Sequence, residues 1–158
     1  DRFINMIEAK LNGTKNQSTS KVVNVYYCVK TKKHGWLPEV KNLEDYAGWE
    51  NSPITGVAIK VDKGTIKYRV HIKGSKWLPY VTGYNTNDIK NGFAGDGKNV
   101  IDAIEVYYYT PNGIRPYKKA KYKVNNYPWQ YDNETTNGAD GYAGVFGVDA
   151  TKFQICIE

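Results

Sequence analysis

At 158 residues the chain is one ordinary domain, or a small domain with a short appendage, and is long enough to bury a real core. Fourteen Tyr and four Trp against one Met describe a β-rich composition, no apolar run approaches the roughly 18 residues of a membrane span, and no signal peptide opens the sequence. The net charge of +6 favours anionic partners such as a phosphate-bearing envelope polymer, but the basic residues are scattered, with small clusters only at Lys30-Thr31-Lys32-Lys33 and Lys118-Lys119-Ala120-Lys121. That spread fits diffuse attraction or plain solubility better than a duplex-binding stripe, so neither nucleic acid nor a membrane is the expected partner.

In chain order, Phe3, Ile4, Ile7 and Leu11 stand at helical spacing and Asn12-Gly13 is a helix stop, so residues 1–11 read as a short helix. Residues 12–20 are polar and turn-rich and read as a linker. Because the sequence opens on Asp1, the helix is expected to be the last element of a missing upstream domain, or a handle for self-association.

From Lys21 onward the sequence says nearly the same thing three times. An aromatic-x-Val strand, a Trp segment, an aromatic-Ala-Gly tripeptide and a β-branched strand recur over about 40 to 50 residues. The first copy, about 22–65, holds Tyr27-Cys28-Val29, Trp36-Leu37-Pro38-Glu39-Val40, Tyr46-Ala47-Gly48 and Val57-Ala58-Ile59-Lys60-Val61. The second, about 66–114, holds Tyr68-Arg69-Val70, Trp77-Leu78-Pro79-Tyr80-Val81, Phe93-Ala94-Gly95 and Ala103-Ile104-Glu105-Val106. The third, about 115–158, is looser, with Tyr122-Lys123-Val124, Pro128-Trp129-Gln130, Tyr142-Ala143-Gly144 and Phe153-Gln154-Ile155-Cys156-Ile157.

Period-2 alternation makes these segments strands. The turn Asp62-Lys63-Gly64-Thr65 predicts a hairpin between the strands at 57–61 and 66–70, and the same arrangement is expected to follow Tyr109 with a longer connection. Closure would then put the last strand beside the first, making Cys28 and Cys156 neighbours on one face, as free thiols or as an opportunistic bridge. Three such units predict an all-β, pseudo-threefold closed domain: a β-prism first, a β-trefoil second.

Catalytic chemistry is sparse. His34 and His71 occupy non-equivalent places without a zinc pattern or a nucleophile elbow, and read as surface or half-buried residues. Cys28 and Cys156 sit inside strands, where a thiolate is not activated, and no phosphate-cradling glycine loop is present. The acidic residues, among them Asp45, Glu50, Asp88, Asp96, Asp102 and Asp149, are placed mainly in turns. The stretch from Asp132 through Glu134 to Asp140 has carboxylates for calcium at the wrong spacing, so no metal or cofactor is assigned.

What remains is an aromatic, Gly- and Asn-rich surface suited to stacking on sugars. Trp, Pro and Val share one face of the Trp segments at period 2, so Trp36, Trp77 and Trp129, with Tyr46, Phe93 and Tyr142, are read as core rings. Ligand contacts are then expected from residues that vary between copies: Trp49, Tyr80, Tyr84 and Tyr131, with Asn85 and Asn87.

Gly35-Trp36-Leu37-Pro38-Glu39-Val40, Asp45-Tyr46-Ala47-Gly48 and the strand from Ile54 to Val61, with its copies, resemble the C-terminal cell-wall-binding regions of clostridial phage endolysins and bacterial autolysins, and more distantly the clostridial hydrophobic-tryptophan repeats. The resemblance covers roughly residues 22–158 and lies in motif order. It implies a non-catalytic targeting domain for an upstream amidase or muramidase, a partner that is peptidoglycan or a teichoic-acid-like secondary wall polymer of Gram-positive bacteria, and a location on the outer side of the bacterial wall, reached from the host cytoplasm if phage-encoded. A stand-alone lectin or toxin-associated glycan-binding component has the same aromatic β surface and is the competing expectation. A structural module or an unrecognised hydrolase follows behind.

Overall fold

The computed structural model describes residues 21–132 and 141–158. The expected helix over 1–11 and linker over 12–20 lie outside them, as do Glu134 and Asp140. Among the described residues the protein is all-β, with twelve strands and no α-helix.

Six strands are long, and they pair two by two within each repeat. β1 (Val25–Thr31) pairs with β5 (Ile54–Val61), β6 (Thr65–Ile72) with β8 (Ile101–Tyr109), and β9 (Ala120–Val124) with β12 (Lys152–Ile157), all antiparallel. The alternation of side chains explains why. In β1, Val25, Tyr27 and Val29 are fully buried while Tyr26 and Lys30 face outward, and β9 alternates Ala120, Tyr122 and Val124 against Lys121 and Lys123 in the same way. The three pairs share one register, with Tyr27 opposite Ile59, Tyr68 opposite Val106 and Tyr122 opposite Ile155.

Each pair gains one edge from its own Trp segment. β2 (Gly35–Trp36) and β3 (Val40–Lys41) join β1, single bridges from Trp77 and Val81 join β6, and β10 (Gln130–Tyr131) joins β9. The other edge comes from a different repeat. β7 (Ala94–Gly95) pairs with β5, β11 (Tyr142–Gly144) with β8, and β4 (Ala47–Gly48) with β12. The second repeat therefore completes the first sheet, the third completes the second, and the first completes the third.

The inward faces of all three sheets meet in one core. At its centre Tyr27, Tyr68 and Tyr122 are fully buried, and each hydroxyl finds a backbone carbonyl: Tyr27 donates to Asn42 at 2.6 Å, Tyr68 to Gly83 at 2.6 Å, and Tyr122 to Gly141 and to Val106. Buried phenols need such partners, and the repeated aromatic-x-Val motif is the trace they leave in the sequence.

Two expectations are corrected. β5 and β6 are joined by the tight 62–64 turn but do not form a hairpin, nor do β8 and β9 across the longer connection after Tyr109, because one edge of each strand is taken by its partner in its own repeat and the other by a short edge segment. The turn rounds a corner between sheets, held by Asn24 donating twice to Asp62, Lys63 Nζ to the Val22 carbonyl, and the Tyr108 hydroxyl to the Lys63 carbonyl. Cys28 and Cys156 are likewise not neighbours. Cys28 lies opposite Ala58 in the first sheet and Cys156 opposite Lys121 in the third, because the last strand pairs with β9 and β4 rather than with β1, and both thiols are free.

Candidate functional site

The rings expected in the core mostly stand on the outer faces instead. Trp36, Trp77 and Trp129 are half-buried, Tyr46 is exposed, Tyr142 is half-buried, and of the six only Phe93 is buried. The Trp segments do alternate, but in the opposite phase: Leu37 and Leu78 pack against the core, so the tryptophan before each points out. A shift of one residue flips every side chain of a strand to the other face.

On the second sheet the outer face is a wall of rings and charges. The Arg69 guanidinium lies 4.6 Å from the Trp77 ring centre and 4.7 Å from that of Tyr80, and its Nε donates to Glu105 at 2.6 Å. Glu105 also accepts the Tyr80 hydroxyl at 2.9 Å. Burial, and then the adjacent carboxylate, push the Tyr80 phenol up to about 12, so it stays a neutral donor. Beside it, His71 Nδ1 is 2.7 Å from Asp102, whose other oxygen accepts the Gly147 amide at 2.8 Å. Phe146 stacks on His71 at 4.0 Å and on Tyr142 at 5.1 Å, and Trp77 meets His71 edge-on. Asp102 is the extra residue at a bulge in β8, opposite the step from His71 to Ile72. Its buried pairing with His71 thus fixes both the bulge and the 145–148 loop.

The other two faces are built on the same plan with different residues. On the third, the ammonium groups of Lys121 and Lys123 each lie 5.2 Å from the Trp129 ring centre, and the exposed Tyr131 donates to Glu158 at 2.9 Å. On the first, Trp36 packs edge-on against Phe93 beside Cys28 and Ala58. Tyr84 donates to Glu39 at 2.5 Å, with Lys60 Nζ 4.7 Å above its ring. Burial pushes the Cys28 thiol up, away from thiolate chemistry.

The six residues expected to touch ligand fall in several places. Tyr80 and Tyr84 stand on the second and first sheets, near the corner those sheets share, and Tyr131 is on the third sheet. Trp49, 53% exposed, lies tilted against His34 at 4.4 Å between ring centres and lines a cavity of about 440 Å³ together with Glu39, Glu44, Asp45 and Tyr46. Asn85 accepts the Asn87 amide at 2.9 Å and so shapes a turn, while Asn87 is exposed in that turn. Two further cavities lie at corners of the fold: one of about 350 Å³ near Tyr46, Asn125 and Lys152, and one of about 540 Å³ near Lys60, Lys67 and Tyr109.

The reading of residue types missed the cations paired with rings: Lys60, Lys67, Arg69, Lys121 and Lys123. Their signal was present, since each occupies an outward position on a strand next to a buried tyrosine or its cross-strand partner. It also placed Asp102 among turn carboxylates and His71 no deeper than half-buried, whereas both are buried on the second sheet. Asp132 spends one oxygen on the amides of Tyr108 and Ala120, both at 3.0 Å. Among the described residues no three His, Cys, Asp or Glu side chains converge as a metal site, and no helix is long and apolar enough to cross a membrane. No protein-family model, curated protein or solved structure matches the chain.

Proposed function

We propose that this domain is a non-catalytic module that binds the glycan of the Gram-positive cell wall, peptidoglycan or a secondary polymer, and targets a peptidoglycan hydrolase to it. The observation that carries the reading is that every sheet presents an accessible ring beside a cation: Tyr84 with Lys60, Trp77 with Arg69, and Trp129 with Lys121 and Lys123. Ring faces suit the C–H faces of sugars, and the adjacent cations suit anionic substituents. Three faces pointing different ways can engage one polymer several times, and such linkage raises avidity by about 10² to 10⁴ over a single weak site. Three separate sheets exchanging edge strands in a ring also support the β-prism over the trefoil.

Pelleting with purified sacculi tests this function. The domain is expected in the pellet, without loss of turbidity from the wall suspension. A domain that stays in the supernatant overturns the targeting role, and one that instead captures soluble glycans is a lectin of the competing kind. Lysis of the suspension by the domain alone would make it an enzyme.

A further inference from the structure

We infer that the outer face of the third sheet is a binding site for an anionic oligosaccharide. The inference rests on the wall-binding function and names its ligand class. The same row of residues crosses all three sheets, and only in the third is it left open.

The register fixes these rows. In the first sheet Cys28 lies opposite Ala58, and the pairing of Val57 with Ala94 brings Phe93 next in line. In the second, Arg69 lies opposite Glu105 and Glu105 opposite Tyr142. In the third, Lys123 lies opposite Gln154, and the pairing of Phe153 with Ala47 brings Tyr46 next in line. Each row thus ends on an aromatic residue lent by another repeat, and the sheet's own Trp segment borders its other end.

The first two rows are filled. Cys28 and Ala58 are small, so Trp36 packs with them and meets Phe93 edge-on at 5.1 Å. Arg69 and Glu105 pair with each other, and Trp77 meets Tyr142 edge-on at 5.6 Å. Neither closure occurs in the third row. The long side chains of Lys123 and Gln154 stand between Trp129 and Tyr46, and among the described residues neither of those rings meets another ring. Among the described residues, too, Lys123 and Lys152 have no acidic partner and the Gln154 amide has no hydrogen-bond partner, whereas the neighbouring Lys121 is 3.8 Å from Glu158.

These open groups match one class of ligand. The register of β10 on β9 puts Trp129 beside Lys123, three strand spacings or about 14 Å from Tyr46, so a ligand touching both rings is an oligosaccharide rather than a single sugar. An ammonium accompanies each ring: Lys123 Nζ is 5.2 Å from the Trp129 ring centre and Lys152 Nζ is 4.8 Å from that of Tyr46. Ring faces orient an ammonium and leave its formal charge in place. Lys123 and Lys152 are diagonal neighbours across the β9–β12 pair, and such pairs stand about 7 to 8 Å apart. The rings suit sugar C–H faces, the ammonium groups suit carboxylate or phosphate oxygens, and the Gln154 amide suits a hydroxyl or acetamido group. At the Tyr46 end the face adjoins the cavity of about 350 Å³ that Asn125, Asn126, Thr151 and Lys152 line; the exposed Glu50 lines it too, without an ion pair to Lys152.

The test uses the whole chain as wild type, Lys123→Gln/Lys152→Gln, Tyr46→Ala, and Lys32→Gln/Lys33→Gln as a control that removes the same charge from an exposed turn of the first repeat. Melting curves establish that the variants fold, and Tyr46→Ala, at an exposed ring, keeps the test open if the lysine variant does not. Amide signals are followed on adding a hyaluronan tetrasaccharide, glucose 1-phosphate or neutral chitotetraose, and pelleting with intact sacculi runs in parallel. A charged probe is expected to move the Ala47, Lys123 and Gln154 signals at least tenfold more tightly than chitotetraose. A response to hyaluronan alone assigns the anion as a carboxylate, and one to glucose 1-phosphate alone as a phosphate. The lysine variant is expected to lose the preference for charge, the control to keep it, and Tyr46→Ala to weaken every response severalfold. Silence to all three probes, equal response to charged and neutral ones, or equal loss in the control overturns the site, and wall binding stands if wild type still pellets. Third-sheet shifts without binding to sacculi keep the site and remove the wall function.

Discussion

Buried phenols, three of them at the centre of the core, set the behaviour of this protein at high pH. Burial raises the Tyr27, Tyr68 and Tyr122 hydroxyls above their ordinary value of 10.0. A raised folded pKa means the stabilisation is complete below the unfolded value and is lost as pH rises from there toward the folded one. Each phenol should remove about 1.4 kcal/mol per pH unit in that window, so these three alone slope at roughly 4 kcal/mol per unit, enough to unfold an ordinary domain, and the likewise raised phenols of Tyr80, Tyr84 and Tyr108 steepen the loss. Urea midpoints measured from pH 9 to 11.5 should fall steeply above about pH 10, and Tyr68→Phe should remove about 1.4 kcal/mol per pH unit from the slope while costing about 1 to 3 kcal/mol at pH 8 through its unpaired carbonyl. A midpoint flat to pH 11 would contradict the assignment. Trp77 behaves in the opposite way. Half-buried on the outer face, it is expected to cost only about 1 to 2 kcal/mol as Trp77→Ala, against about 3 to 5 for a core ring, while sacculus binding falls severalfold. A melt lowered as far as a core truncation, with binding intact, would return Trp77 to the scaffold.

At the scale of the element, the aromatic-Ala-Gly tripeptides are strands given away to a neighbouring sheet, and their glycines are the points of closest approach. A Cβ on Gly48 would stand 2.1 Å from the Thr151 carbonyl oxygen, one on Gly95 2.5 Å from that of Thr55, and one on Gly144 2.2 Å from that of Asp102. Their φ angles of 140°, 110° and 110° also lie in glycine territory. Gly95→Ala should therefore cost at least about 1 to 3 kcal/mol, measured by urea denaturation, and an unchanged midpoint would show that the close approach is not essential. The tripeptides were legible in the sequence because packing demanded them three times. Their destination was not, since alternation says which face of a strand is buried and nothing about which strand lies beside it. The same gap produced the false 57–61 with 66–70 hairpin, whose turn was read correctly and whose partners were not. In the Trp segments, Pro38 and Pro79 two residues after the tryptophans suggested a common buried face, and the neighbouring leucines that hold the inner phase were overlooked. Of the candidate site, the exposure of Tyr80, Trp49 and Tyr131 followed from their departure from the repeat, whereas Tyr84 is half-buried against the Cys28, Ala58 and Phe93 cluster. The cations were marked by their outward positions, but which ring each one meets depended on cross-strand register that residue types alone do not disclose.

For the whole molecule, the sequence carries a charge of +6, and among the described residues cations meet rings on all three sheets rather than on one. Exposed charges are screened beyond about 8 Å at physiological ionic strength, so wall binding should weaken progressively between 0.05 and 0.5 M salt, by roughly tenfold or more, if the lysines meet an anionic polymer. Affinity independent of salt, with Trp77→Ala still defective, would assign the charge to solubility alone. The exchange of edges has a wider meaning. The first repeat gives β4 to the third sheet, the second gives β7 to the first, and the third gives β11 to the second. None of these bonds requires the three repeats to belong to one polypeptide. Unlinked at the 62–64 turn and at the 110–119 connection, the pairings describe a cyclic trimer in which each subunit lends an arm to a neighbour; the single chain is that trimer with its subunits joined end to end.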